Sequence, residues 1–193
     1  MNMVQVYIKG QEDKELSSFL CYCPVRIKNI GMDAFFDRQV IYDFKDGRNH
    51  ADVAKCVAKM LVKKFGRKVR SVVFSCVPAS SQERNEARNK NFSELVCKFS
   101  GAINGFSHVK VVGERTAVHG TKVKKDEREK RLKEKNNIEV DANFFKNKIV
   151  CIWDDVVTTG TSFSAYTAQL EQVGAHVTNG IFLGKTSYKY VQQ

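Results

Sequence analysis

Residues Val150 to Ser162 read VCIWDDVVTTGTS. Four apolar residues run straight into two adjacent aspartates, two more apolar residues follow, and hydroxyls then cluster around one glycine. Such an apolar run fits a strand covered on both faces. A buried strand that ends on Asp154 and Asp155 needs something for them to hold. Thr158 to Ser162 then falls between that strand and an amphipathic helix carrying Phe163, Tyr166, Leu170 and Val173, with Gly174 placed to cap it. Free N–H groups, the helix dipole and several hydroxyls meet at such a junction, which suits one phosphate. Gly160 would let the backbone approach a ligand closely. Carboxylates repel a bare phosphate, so the pair makes sense if the ligand also offers hydroxyls or a metal. A sugar phosphate with a cis-diol satisfies both halves.

Working outward, Val4 to Ile8 (VQVYI) and Val40 to Phe44 (VIYDF) read as short strands, the second closed by Asp46-Gly47. Ala54, Val57, Ala58, Leu61 and Phe65 fall at helical spacing from Asn49, and Gly66 follows as a stop. Val69 to Val77 (VRSVVFSCV) is a second buried strand, ended by Pro78-Ala79-Ser80-Ser81. A helix with Phe92, Leu95, Val96 and Phe99 on one face closes at Gly101. Val109 to Gly113 (VKVVG) is a third buried strand, and His176 to Leu183 returns after the last helix. Strands alternating with helices predict an α/β fold with a mostly parallel sheet. Ligands bind such sheets at the carboxyl ends of the strands, where Pro78–Ser81 and Asp154–Ser162 both belong.

At 193 residues with 42% hydrophobic content, the chain is expected to form a single domain, 1–193. No apolar run reaches the length of a membrane span, and the N-terminus carries early charges rather than a signal core, so a cytoplasmic protein with no membrane partner is expected. The six cysteines, with only Cys21 and Cys23 close together, read as reduced thiols used for packing. The net charge of +11 favours anionic partners. Residues 122 to 135 (KVKKDEREKRLKEK) hold eight basic and four acidic residues, and the segment of about 114–137 reads as a mobile basic loop.

The 150–162 stretch resembles the phosphoribosyl pyrophosphate (PRPP) signature of type I phosphoribosyltransferases, with acidic pair, glycine and hydroxyls in register. Residues 72 to 99 (VVFSCVPASSQERNEARNKNFSELVCKF) are similar to the pyrophosphate-loop region of the ComF-like subfamily, and VIYDFKDGRNHADVAKCVAKML to the segment before it. The resemblance covers roughly residues 38 to 185. It implies a type I phosphoribosyltransferase fold: a twisted, mostly parallel sheet flanked by helices, with a small hood from about 1–45. It implies a transferase that binds PRPP with Mg²⁺ and passes the phosphoribosyl group to a nitrogen nucleophile, a nucleobase-like acceptor, releasing pyrophosphate. Asp154 and Asp155 would bind the ribose hydroxyls, and Mg²⁺ would act through PRPP near them rather than through a set of direct protein ligands. Thr158, Thr159, Gly160, Thr161 and Ser162 would hold the 5′-phosphate. Ala79, Ser80 and Ser81 would contact the pyrophosphate, with Arg84, Arg88 and Arg115 to neutralise it.

Two departures bear on substrate. Thr158 stands where hypoxanthine and guanine enzymes usually carry an aspartate, and the paired C-x-x-C spacing of the ComF-like zinc ribbon is missing. Plainer roles stay open beside these. Ser80 and Ser81 can cap a helix, and Arg84 and Arg88 can pair with Glu83 and Glu86. His119 reads more simply as an exposed loop residue than as a base, and Trp153 as core. The alternative function is a non-catalytic PRPP or nucleotide sensor, or a protein associated with DNA uptake, using a basic face. Weak nucleic-acid binding through the 122–135 run and a homodimer are further expectations.

Overall fold

A computed structural model describes residues 3–112 and 138–188. Strands β1 (Val4–Gln5), β2 (Glu15–Tyr22), β3 (Val72–Cys76), β4 (Ile103–Asn104), β7 (Ile149–Val157) and β8 (His176–Thr186) form one sheet in the order β1-β2-β8-β7-β3-β4. All its pairings are parallel except the short β1–β2 edge. Helices α1 (Met32–Lys45), α2 (His50–Phe65), α3 (Gln82–Asn85) and α4 (Asn91–Ser100) precede the 138–188 segment, which carries α5 (Ala142–Phe145) and α6 (Thr161–Gln172). This is the α/β architecture expected, a mostly parallel sheet flanked by helices. Among the described residues, no helix is long and apolar enough to cross a membrane.

Period-two alternation on β7 divides the core between the two faces of the sheet. Cys151 and Trp153 point into the layer shared with Ile41 and Phe44 of α1, Val57 and Leu61 of α2, and Phe92 and Val96 of α4. Val150 and Ile152 point into the opposite layer with Phe163, Tyr166 and Leu170 of α6. Trp153 is core, as expected: its ring meets Phe44 at 5.6 Å and Phe92 at 4.9 Å. Ser75 and Tyr166, buried polar groups on opposite elements, satisfy each other across 2.6 Å.

Several elements differ from the sequence reading. Val40–Phe44 is not a strand but the last turns of α1. Its alternation is local, whereas Ala34, Ile41 and Phe44 make one buried stripe at helical spacing. Of the Val109–Gly113 strand expected, the described residues Val109–Val112 do not enter the main sheet, and Gly113 lies outside the described residues. Residues Val109–Val111 (β5) pair antiparallel with Ile138–Val140 (β6), and β4 occupies the place beside β3. The N-terminal strand covers only Val4–Gln5 of the five residues expected. Glu15–Tyr22, unrecognised in sequence, pairs along its length with β8. Phe99 is exposed rather than on the buried face of α4. The six cysteines are free, with Cys56 exposed and Cys21 and Cys97 partly buried.

His50 shows how this core sets a pH dependence. Its Nε2–H donates to the Phe44 carbonyl at 2.9 Å, and its ring lies 4.7 Å from Phe44 and 5.7 Å from Phe92. Burial pushes its pKa below the usual histidine value, outweighing the hydrogen bond to the carbonyl, which favours the charged form. The unfolded chain therefore takes up the proton first as pH falls. Stability from this group is fully present above the ordinary histidine pKa of about 6.5 and is lost as pH drops below it. Urea midpoints should fall between pH 8 and pH 5.5, and His50→Gln should shrink that fall. An identical pH dependence in the variant would assign it to other groups.

Candidate functional site

The site is positioned by where two neighbouring strands part. β3 and β7 stay paired up to Cys76 opposite Trp153, and the Val77 N–H makes one more bond to the Trp153 carbonyl at 2.8 Å. Beyond it the chain after β3 turns toward α3 and α4 on one face. The chain after β7 turns toward α6 on the other. The connections reverse direction at this point, and it is at the carboxyl ends of strands parted in this way that α/β sheets place a ligand crevice. Asp154 and Asp155 lie on the edge of β7 that this parting exposes, while β8 still pairs with it through Val157. Each carboxylate takes an N–H from the next residue: Asp155 N to Asp154 Oδ1 at 2.9 Å, and Val156 N to Asp155 Oδ1 at 2.7 Å.

The two acids are not equivalent. Asp155 accepts a hydrogen bond from Arg88 at 3.2 Å and lies 3.8 Å from Lys45 at the end of α1, with its side chain only 11% exposed. Burial, and then the neighbouring charge of Asp155, push the Asp154 carboxyl well above the usual carboxylate range. A strand end thus carries a neutralised carboxylate beside one that resists ionising. Such a pair gains from oxygen-bearing ligands that donate hydroxyl protons or bring a cation. Among the described residues, no three histidine, cysteine or acidic groups gather as a metal cage. The donor set fits Mg²⁺ held mainly by ligand oxygens and water, with one or two carboxylates near it.

Past β7, Thr158 and Thr159 lead to Gly160, which precedes α6 with φ of +79°. A Cβ there would stand 2.6 Å from Ile8, so the protein itself demands glycine at this turn, quite apart from any ligand. The first-turn N–H groups of Thr161 and Ser162 are ones an α-helix leaves without an internal acceptor. Hydroxyls surround them: Thr159 Oγ1 is 2.9 Å from Thr161 Oγ1, and Thr158 Oγ1 is 2.8 Å from Thr186 Oγ1 on β8. Gly160→Ala should meet both the φ penalty and the Ile8 contact. A loss of about 1–3 kcal/mol in folding stability is expected, read by thermal or urea unfolding. A variant as stable as the parent would show that the turn relaxes freely.

The loop after β3 is held from beneath. Asn85 Oδ1 accepts from the Ala79 N–H at 3.2 Å and from Asn89 Nδ2 at 2.8 Å, and Asn89 Nδ2 also reaches the Val77 carbonyl at 3.3 Å. Both asparagines are buried. Ser81 Oγ caps α3 by accepting the Arg84 N–H at 3.3 Å, so the capping role foreseen for this pair is filled there. The Arg84 guanidinium donates to Ser80 Oγ at 3.2 Å. Between α3 and α4 the chain makes one π-helical turn, Glu86–Lys90, a widening often found at functional sites. Arg88 sits in that turn and pairs with Asp155 rather than with Glu83 or Glu86.

The fold thus brings together Asp154, Asp155 and Arg88, and places Ala79–Ser81 with Arg84 and Thr158–Ser162 on the same edge of the sheet. Lys45, Asn85 and Asn89 are added by the structure. An asparagine pair four residues apart in the otherwise charged run QERNEARNK was the available signal for the last two. Arg115, His119 and the whole basic loop expected over about 114–137, with its 122–135 run, lie outside the described residues.

No family model matches the chain, and no curated protein matches it. Among solved structures it is similar to one described as the allosteric regulatory enzyme of purine biosynthesis, with 17% identity and a TM-score of 0.40. That likeness covers 69% of this chain and 25% of the other.

Proposed function

We propose that this protein binds PRPP together with Mg²⁺ and transfers its phosphoribosyl group to a nitrogen nucleophile, releasing pyrophosphate. The observation that carries this reading is the paired carboxylate at the parted edge of β7, directly followed by a hydroxyl-rich turn into a helix N-terminus. Thr158–Ser162 would hold the 5′-phosphate, and Asp154 and Asp155 would orient the ribose hydroxyls. Ser80, Ser81, Arg84 and Arg88 would receive the pyrophosphate. Ala79 has already donated its N–H to Asn85, so its part is to shape the loop. Arg115 is assigned to the pyrophosphate by sequence resemblance alone, and the hood of about 1–45 would come from a region whose β1 and β2 join the main sheet and whose α1 packs on it. Mg²⁺, when bound, would be held near Asp154 and Asp155, mainly by oxygens of the ligand and water, and would supply positive charge to offset that of the leaving group. The chain's own contribution is fixed placement of reacting groups and electrostatic support for a ribose carbon that gains positive charge.

Arg88 has two anions to choose between in this scheme. In the free protein it neutralises Asp155, and an incoming pyrophosphate would compete for it. That pairing also favours a second reading, in which PRPP is bound and sensed without turnover. Calorimetry with PRPP, with and without Mg²⁺, tests the shared step, and a nucleobase screen for pyrophosphate release separates the two. Micromolar binding that needs Mg²⁺ is expected. No heat with PRPP in either condition would remove both readings.

A further inference from the structure

Among the described residues, a block of basic charge lies away from the crevice. Between His50 and Ser71 there are seven basic residues against one acidic residue, Asp52. Lys55, Lys59 and Lys63 follow one another at four-residue steps along the exposed side of α2, about 6 Å apart. Arg67, Lys68 and Arg70 continue the ridge into the turn before β3. Lys55 is paired with Asp52 and Lys64 with Glu15, but Lys59, Lys63, Arg67, Lys68 and Arg70 have no acidic partner among the described residues. Beside the lysines runs an apolar groove of about 540 Å³ lined by Ala58, Val62 and Phe99, with Val62 44% and Phe99 42% exposed. The stem of Arg70 lies against Gly101 at the end of α4, so the cations frame the groove along its length.

We infer that this ridge binds single-stranded nucleic acid, with phosphates on the lysine and arginine row and a base against Phe99. A row of unpaired cations suits a repeating polyanion better than one small phosphate compound. An exposed aromatic beside such a row is the pairing single-strand binders use. Duplex is disfavoured because α2 lies flat on the sheet and against α4, so it cannot enter a major groove. Arg67–Arg70 precede β3 and therefore sit at the opposite edge of the sheet from the crevice, which makes this surface independent of the PRPP reading.

The test is fluorescence anisotropy of the full chain with labelled oligo-dT and oligo-U, between 50 and 200 mM salt. Affinity should fall with salt, with a log–log slope of about −0.7 per phosphate neutralised. Lys59→Gln, Lys63→Gln and Arg67→Gln together should weaken binding and make the slope shallower by about 2. Phe99→Ala should weaken it about tenfold while leaving the slope unchanged. PRPP calorimetry on the same variants should be unaltered, so failure of either reading is visible separately. Circular dichroism confirms that these exposed changes leave the fold intact. Binding that is equal in the triple variant would overturn the assignment. So would duplex bound more tightly than single strands, or vesicles containing phosphatidylserine displacing the oligonucleotide through Phe99.

Discussion

Replacing Asp154 and Asp155 together by asparagine is expected to abolish Mg²⁺-dependent PRPP binding while the fold survives. The expectation rests on their place at the edge of β7 where β3 leaves, just ahead of the hydroxyl-rich turn into α6. Asparagine keeps the shape and can still accept the N–H bonds from Asp155 and Val156 positions. What it removes is negative charge. The unliganded protein should not suffer from this at Asp154. A carboxyl whose folded pKa is raised contributes stability only below its unfolded pKa of about 4, and that contribution is lost as pH rises through the folded value. At pH 7 keeping a carboxyl in this buried place is a cost, so Asp154→Asn alone should melt at or above the parent temperature while binding is lost. That split between stability and binding is the signature of a group kept for function. A double variant that binds PRPP like the parent would end the diol role. A parent that melts higher than Asp154→Asn would show the carboxylate to be structural.

Phe92→Ala should cost about 3–5 kcal/mol of folding stability, the largest loss expected from one substitution here. Phe92 is fully buried, and its ring lies 4.9 Å from Phe44, 4.9 Å from Trp153 and 6.2 Å from Phe74. It therefore joins α4 to α1, β3 and β7 in one aromatic cluster. Removing it leaves a void that rigid neighbouring rings cannot close. For a chain of this size the thermal midpoint should drop by roughly 10 °C. The consequence should reach the crevice as well, because α4 continues from the π-helical turn that carries Arg88. A drop of less than about 1 kcal/mol in urea unfolding would mean that the cluster repacks.

Much of the fold was legible because its strands are buried on both faces. VCIW is apolar without interruption and VVFSC is broken only by Ser75, the pattern expected of a parallel sheet covered by helices. Alternation misled at Val40–Phe44, where five residues of strand-like pattern belong to a helix whose buried stripe runs from Ala34 to Phe44. β2 was illegible for the opposite reason. ELSSFLCY mixes a glutamate and two serines into a strand that gains its place only through β8. Since β8 lies more than 150 residues later, no local window contains the information.

At the site, the sequence by itself determined which residues cluster: two aspartates, a glycine turn and four hydroxyls are contiguous in the chain, and a strand-to-helix junction holds them together. Tertiary structure alone decided what they face. Arg88 and Lys45 arrive from 67 and 110 residues away to neutralise Asp155, and buried Asn85 and Asn89 tie down the loop after β3. It also decided why Gly160 is glycine, since Ile8 from the N-terminal segment fills the space a Cβ would need. Contiguity fixes composition within a few residues along the chain. Charge balance, desolvation and steric contact depend on distance through space, and only the folded chain sets that.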